Sequence, residues 1–507
     1  MARRGILVAV AFTAGVYVAW LQDPVHKAFT FDNQIYYYMA EQVADGVPPH
    51  VSFVEHKHQL PTMMSGFAMR AARSLGRDEI MAMRAVSIVM AGLLTACVAW
   101  LGADLAGLGA GTIAACAMLA LPGMYSQAAM GVRPQVFMAA FMVLSLVLFG
   151  LRRRFSAGVA AVCAFLCWTP AALVGIALVI AALFGRDRWR AIIGLAAGAV
   201  TTILVYESYY LWHGLAALDE QIRQSYLMAG ELSHYSYPKL ADSLAFFTRF
   251  GIGWRHDSSI ALSSLFLAAL AVIPLAVLVG RRRALDVASS VPAWPATVAC
   301  AYFTTALTLL THEGYPDMFF VEPLIAVATG VVLGGAATLL ARVSRVRFVE
   351  VAVVAASIAW LSVLYLHRRT VFPSSGIHLA EQRDLAKQVD IIADDYGTVW
   401  AVGCPHLLAL SHRQNFLPFG LLIDLKVREY MLGGASPASY LPLRDGKLPG
   451  AILASRGGLR SVVPWLNREY RRIDNRSFAA QGIQIWLRRL PRPGDPRFPG
   501  SLREILK

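Results

Sequence analysis

Residues 1–38 read MARRGILVAVAFTAGVYVAWLQDPVHKAFTFDNQIYYY, and the fold turns on how they are taken. Arg3 and Arg4 precede an apolar run from Gly5 to Leu21, which has the outline of a signal peptide. The run closes on Val18-Ala19-Trp20-Leu21-Gln22, too bulky for a usual cleavage site. It is therefore expected to stay in place as a first membrane span with its basic end in the cytoplasm. The first loop, from Asp23 to Arg84, then lies outside.

The rest of the chain repeats this pattern. It has 507 residues, 57% of them hydrophobic and 15% charged, where a soluble domain carries about 25% charged residues. The net charge of +14 does not indicate a nucleic-acid partner, because the arginines sit in short clusters between apolar runs. Arg152-Arg153-Arg154, Arg186 to Arg190, Arg281-Arg282-Arg283 and Arg342 to Arg347 follow the positive-inside pattern. Apolar runs predict spans at 5–22, 83–103, 109–125, 135–151, 191–208, 258–280, 293–311, 317–340 and 348–367. The stretch between Arg154 and Arg186, interrupted at Trp168-Thr169-Pro170, predicts a hairpin of two more. The class is a polytopic α-helical membrane protein of about eleven spans.

One threading puts every basic cluster in the cytoplasm. It leaves outside Asp23 to Arg84, Tyr125 to Pro134, Tyr209 to Asp257, the turn from His312 to Pro316, and all that follows His367. The cytoplasmic loops are too short for a nucleotide-binding domain, so any chemistry is external. The first loop should be helical from Asn33 to Asp45, stopped by Gly46 and Pro48-Pro49, and again from Thr62 to Leu75. Residues 1–370 make the membrane domain with first loop 23–84, and residues 371–507 a small external α/β domain. In the latter, helices are expected at His378 to Asp395 and Leu459 to Tyr470, and strands at Thr398 to Val402, Ala451 to Leu453 and Ile483 to Leu487. Five of the six cysteines lie in apolar runs, Cys404 alone lies in the polar part, and no spacing resembles a zinc site.

Few residues in the external segments can carry chemistry. Asp32, among aromatic residues just beyond the first span, could act as a general base toward an acceptor hydroxyl; the same position would also cap the helix starting at Asn33. Glu55-His56-Lys57-His58-Gln59-Leu60-Pro61 groups four ionisable side chains. Its lysine could neutralise a departing phosphate, its Glu and His could hold a divalent cation, or the cluster is a solvated loop. Arg133 and Arg255 are external arginines, against the charge bias, and fit phosphate contacts or pairing with a neighbour such as Asp257. Glu322 lies in an apolar run before Pro323, which should break that helix; it would line a wet cavity or make a structural hydrogen bond. Of the remaining external histidines, His234 is a further metal candidate.

These pieces resemble the GT-C superfamily of membrane glycosyltransferases, nearest the branch with the protein O-mannosyltransferases and the lipid A aminoarabinose transferase. The motif residues are Asp32, Tyr36 to Tyr38, Ala40, Gly46-Val47-Pro48 and Lys57-His58-Gln59-Leu60-Pro61, with Gly131-Val132-Arg133-Pro134-Gln135 and Glu322-Pro323-Leu324 further on. Asn33, His58-Gln59 and Gln135 depart from the family's pattern; Asp32 and Lys57 do not. The resemblance implies an inverting transfer of a hexose or pentose from a polyprenyl-phosphate donor to a lipid, glycan or protein acceptor. Asp32 would be the base, and Lys57, Arg133 and Arg255 would meet the donor phosphate. Tyr36, Glu55, His58 and Glu322 would line the cavity or hold the acceptor, and Glu55, His56 and His234 are the candidates for a divalent cation. The setting would be a bacterial inner membrane, with site and C-terminal domain in the periplasm.

A transporter or flippase of lipid-linked glycans would share the broken helices and sparse intramembrane charge, but it explains neither the large first loop nor the external domain. A scaffold would explain the topology but not the first-loop cluster. The threading makes a direct prediction. A reporter fused after His367 should be active outside the cytoplasm and one fused after Arg283 inside, and reports from the same side would overturn it.

Overall fold

A computed structural model of the chain describes residues 2–30, 32–55, 57–185, 187–228, 266, 269–270, 293–311, 315–344, 346–368, 378–416, 448–455, 466–467 and 469–489. The architecture is mostly helical, with one small sheet near the C-terminus. Helix α1 (Ala2–Trp20) leads to a first loop built on α2 (Asn33–Ala44), the short α3 (Pro49–Ser52) and α4 (Leu60–Ser74). Then come α5 (Glu79–Ala106), α6 (Leu108–Leu119), α7 (Pro122–Met130), α8 (Pro134–Gly150), α9 (Arg154–Phe165), α10 (Ala172–Leu183), α11 (Arg188–Trp212) and α12 (Leu215–Ile222). After a gap follow α13 (Ala293–Thr311), α14 (Glu322–Ser344) and α15 (Arg347–Arg368).

Helix α5 is the hub, packed against α1, α4, α6 and α8. Asp78 starts it, its carboxylate accepting the Met81 N–H at 2.9 Å. Small residues let the helices approach closely, as membrane helices need. A Cβ on Gly15 of α1 would lie 3.0 Å from the Gly92 Cα of α5, and one on Gly334 of α14 would lie 2.6 Å from the Ala110 Cα of α6. The Arg4–Asp104 pair at 3.0 Å ties the start of α1 to the end of α5.

Among the described residues, α1, α5, α11, α13 and α14 are long and apolar enough to cross a membrane. The outer faces of α1 and α11 carry exposed Ile6, Val10, Ile193, Leu204 and Val205, the surface of an integral membrane protein. The span expected at 109–125 is broken, because Pro122 restarts the helix as α7 at 58° to α6. The expected hairpin is present as α9 and α10, joined through a single 3-10 turn at Thr169–Ala171. The span expected at 258–280 lies outside the described residues except for Phe266, Ala269 and Leu270.

The C-terminal unit has a helix α16 (Leu379–Tyr396), a short α17 (His406–Leu410) and α18 (Arg476–Ala480). Its strands are β1 (Val399–Val402), β2 (Ala451–Ser455), β3 (Tyr470–Ile473) and β4 (Ile483–Arg488), in the order β1-β2-β4-β3. β1 and β2 are parallel, and the other pairs are antiparallel. Three strands match the apolar runs. β3 does not, since Arg471 and Arg472 project to solvent from an edge strand; Tyr470, expected to end a helix, opens it. Most of that expected helix lies outside the described residues.

This unit docks on the first loop. Leu379 N–H donates to the His26 carbonyl at 2.8 Å, and Asn415 N–H to the Tyr38 hydroxyl at 2.8 Å. Phe29, Tyr37 and Met39 share one apolar cluster with Leu385, Val389, Leu453 and Ile485. His412, in a left-handed conformation at φ 50°, brings its Nδ1 to 3.2 Å from the buried Glu41 carboxylate. Gln42 donates to that carboxylate at 2.7 Å, and Arg73, itself paired with Asp45 and Glu79, lies 3.7 Å away.

The Glu41 contact raises the His412 pKa above its ordinary 6.5, and burial raises Glu41. Both shifts mean that the docked form binds more protons. The His412 contribution is therefore complete below pH 6.5 and is lost as pH rises through the raised value. The thermal midpoint of the full chain should fall more steeply as pH rises above 6.5 in the wild type than in His412→Gln. Equal slopes would show that this contact does not hold the unit in place.

Candidate active site

The corner before α8 sets the first charge. Gly131 adopts φ 121°, open to glycine, and Pro134 opens α8. Between them Arg133 is extended and almost fully buried, and its Nη1 donates to Asp32 Oδ2 at 2.8 Å. Asp32 does stand at the N-cap position of α2, but its backbone is helical there and its side chain takes no capping bond. Its carboxylate belongs to Arg133 instead. The side chain is 46% exposed, half in and half out of the protein.

Tyr36, one turn along the same face of α2, is buried. Burial pushes its hydroxyl up to about 12, so the proton stays on. Lys57 Nζ lies 3.5 Å from that hydroxyl. Burial alone would lower the Lys57 pKa, but Tyr36 and the Glu55 and Asp32 carboxylates more than offset it and hold the ammonium above its ordinary value. Two cations, two carboxylates and a phenol thus meet in one patch.

The segment carrying Lys57 is held from behind. The Lys57 carbonyl accepts from His50 Nε2 at 3.1 Å and from Gln59 Nε2 at 2.9 Å. A carbonyl can only accept, so the His50 proton is on Nε2, and Nδ1 accepts from the Tyr210 hydroxyl at 2.9 Å. Burial drives His50 down to about 4, which keeps it neutral. Gln224 bridges the segment, accepting the Glu55 N–H at 3.2 Å and donating to the His50 carbonyl at 3.0 Å. It lies in a π-helical turn, Arg223–Met228, a distortion frequent near functional sites. His50, Gln224 and Tyr210 did not stand out in the sequence: His50 and Gln224 bond backbone groups that only the fold brings near, and Tyr210 bonds the His50 ring.

The other candidates are placed differently. His58, next to Lys57, faces the rings of Phe165, Tyr206 and Tyr226 with centroids 4.7 to 6.0 Å away. Among the described residues its nitrogens have no hydrogen-bond partner, and burial lowers it to about 3. Glu322 is buried as the first residue of α14. Pro323 does not break that helix as expected; it sits in the first turn, where its missing N–H costs nothing. His56, His234 and Arg255 lie outside the described residues. Among the described residues, no group of three or more His, Cys, Asp or Glu side chains could hold a metal ion.

Known structures share this arrangement of helices and C-terminal unit. ArnT from Cupriavidus metallidurans bound to undecaprenyl phosphate superposes with a TM-score of 0.60 at 15% identity, over 95% of this chain and 97% of that one. The chain has the fold of the GT-C membrane glycosyltransferases. AglB, an archaeal oligosaccharyltransferase from Archaeoglobus fulgidus in complex with an inhibitory peptide and a dolichol-phosphate, matches with a TM-score of 0.53 at 13% identity. That match covers 97% of this chain and 75% of AglB. An Archaeoglobus fulgidus oligosaccharyltransferase complex with Zn and sulfate gives 0.51 at 15% identity, over 95% and 73%. No family model and no curated protein matches the sequence.

The buttress behind Lys57 can be tested without any substrate. His50→Ala removes a donor from the Lys57 carbonyl and strips the Tyr210 hydroxyl of a partner, at a cost of about 1–3 kcal/mol. The thermal midpoint should fall, with faster amide exchange over residues 53–60. An unchanged midpoint and unchanged exchange would show that the segment is held by other means.

Proposed function

We propose that the chain is an inverting glycosyltransferase of about eleven spans, using a polyprenyl-phosphate-linked hexose or pentose. The acceptor is a lipid, glycan or protein on the non-cytoplasmic face, in the periplasm of a bacterial inner membrane. The observation that carries this reading is the Asp32–Arg133 pair beside Lys57 and Tyr36. A half-exposed carboxylate is within reach of an entering hydroxyl, and two cations stand where a phosphate must be released. The undecaprenyl phosphate held by ArnT and the dolichol-phosphate held by AglB support a donor of that chemistry, which can reach an external site through the bilayer.

In the transfer, the acceptor hydroxyl gives its proton to Asp32 and its oxygen bonds to the anomeric carbon. The bond from that carbon to the phosphate oxygen breaks with its electron pair on the phosphate. Lys57 and Arg133 stabilise the polyprenyl phosphate as its charge grows. Arg133 would also orient the Asp32 carboxylate in the resting enzyme.

The assay is release of undecaprenyl phosphate from a panel of undecaprenyl-phosphate-linked hexoses and pentoses. Asp32→Asn keeps the shape and an acceptor for Arg133, and should lose roughly a hundredfold or more in turnover with its thermal midpoint preserved. Lys57→Ala should lower kcat more than it raises donor KM if the contact strengthens as the phosphate departs. Normal turnover by Asp32→Asn would remove it as the base. Movement of the intact lipid-linked sugar across vesicles without phosphate release would favour a flippase.

A further inference from the structure

Asp32 has no capping bond to fix it, and nearly half of its side chain is in solvent. Arg133 holds one carboxylate oxygen, and the rest of its position comes from the backbone on either side. Three residues upstream, Phe29 is fully buried and both its peptide groups are taken by one side chain of the C-terminal unit. Phe29 N–H donates to Gln382 Oε1 at 2.9 Å, and Gln382 Nε2 donates to the Phe29 carbonyl at 2.9 Å. The carboxamide thus pairs with Phe29 as a neighbouring strand would. The same carbonyl accepts from Gln34 Nε2 at 3.2 Å, so the clamp reaches across Asp32 into the first turn of α2. The Phe29 ring stacks on Tyr37 at 4.2 Å, and the Arg84 guanidinium lies 4.9 Å from its centre. Asp32 then closes the turn, its carbonyl accepting from the N–H groups of Ile35 and Tyr36.

We propose that Gln382 is a positioning residue for Asp32, by which the C-terminal unit sets the geometry of transfer. The inference rests on the reading of Asp32 as the general base. Phe29, Asp32 and Tyr36 are pinned in turn, by Gln382, Arg133 and Lys57. Gln382 is itself buried on α16, so the first pin is rigid. Removing it lets the carboxylate drift while leaving the phosphate contacts in place. A displacement of about 1 Å at a reacting group can cost about a hundredfold in rate.

The test is a double-mutant cycle in the full chain, read by release of undecaprenyl phosphate from an undecaprenyl-phosphate-linked sugar. Gln382→Ala should lower kcat about tenfold or more with donor KM unchanged, and should cost nothing further in an Asp32→Asn background. The same fold loss in both backgrounds, or no loss in the first, overturns the positioning role while leaving the base reading intact. Turnover unaffected by Asp32→Asn overturns the base reading and this inference together. Gln382→Glu guards against a folding failure, because it keeps the shape and the acceptor for Phe29 N–H. Its deficit relative to the wild type should shrink as pH falls and the carboxyl regains a proton to donate. A deficit that does not change with pH counts against the clamp.

Discussion

Helix α2 has no free face: eleven of its twelve residues are buried, although it carries Asn33, Glu41 and Gln42 and lies outside the bundle of long apolar helices. Burial of polar groups requires partners, and Tyr36, Tyr38 and Glu41 of α2 find them on two sides. The bundle supplies Arg133 next to its N-terminus, where the first loop itself sets Lys57 against Tyr36. The C-terminal unit supplies Asn415 for Tyr38 and His412 for Glu41. Neither side alone would cover the helix, so the external unit belongs to the structure of the site.

The bundle positions its share through residues on its rigid hub. Arg84 of α5 is fully buried and donates to the carbonyls of Pro24 and Lys27, fixing the chain as it leaves α1. Lys27 reaches the Ser126 hydroxyl of α7 at 2.7 Å. Arg133 follows from the corner between α7 and α8. The charges of the first loop are thus assembled against long helices whose own packing leaves little room to move. A cationic patch of that rigidity suits the stabilisation of charge that appears only during reaction, because no reorganisation is needed when it forms.

Much of this was legible from periodicity and charge. Apolar runs bounded by arginines marked the helices, and Gly46 with Pro48-Pro49 ended α2 where expected. Asp32, Lys57 and Arg133 could be named because charged residues are few in this chain and those three fall in external segments, and Tyr36 through the family resemblance. What stayed hidden was of two kinds. Edge strand β3 has too few residues and too much charge to show an apolar alternation. The residues that hold the site, His50, Gln224 and Gln382, bind backbone carbonyls and amides, which every residue offers, so nothing in their neighbourhoods marks the partner. The capping role open to Asp32 was decided in space by an arginine 101 positions away.

Such separations set a folding problem. Phe29 and Gln382 are 353 positions apart, and Tyr38 and Asn415 are 377 apart. In a free chain, closing loops of that length would be slow and entropically opposed. Here the cost is reduced before those contacts form, because each membrane helix that inserts fixes its flanking segments to one side of a thin slab and confines the search to a surface. The Leu379 N–H to His26 bond lies between the exit of α1 and the start of α16, which makes it the natural first point of contact. From there Gln382, one turn along α16, meets Phe29, three residues beyond His26. The clamp on the residues before Asp32 is thus made within one turn of helix from the Leu379 bond, by the same end of α16.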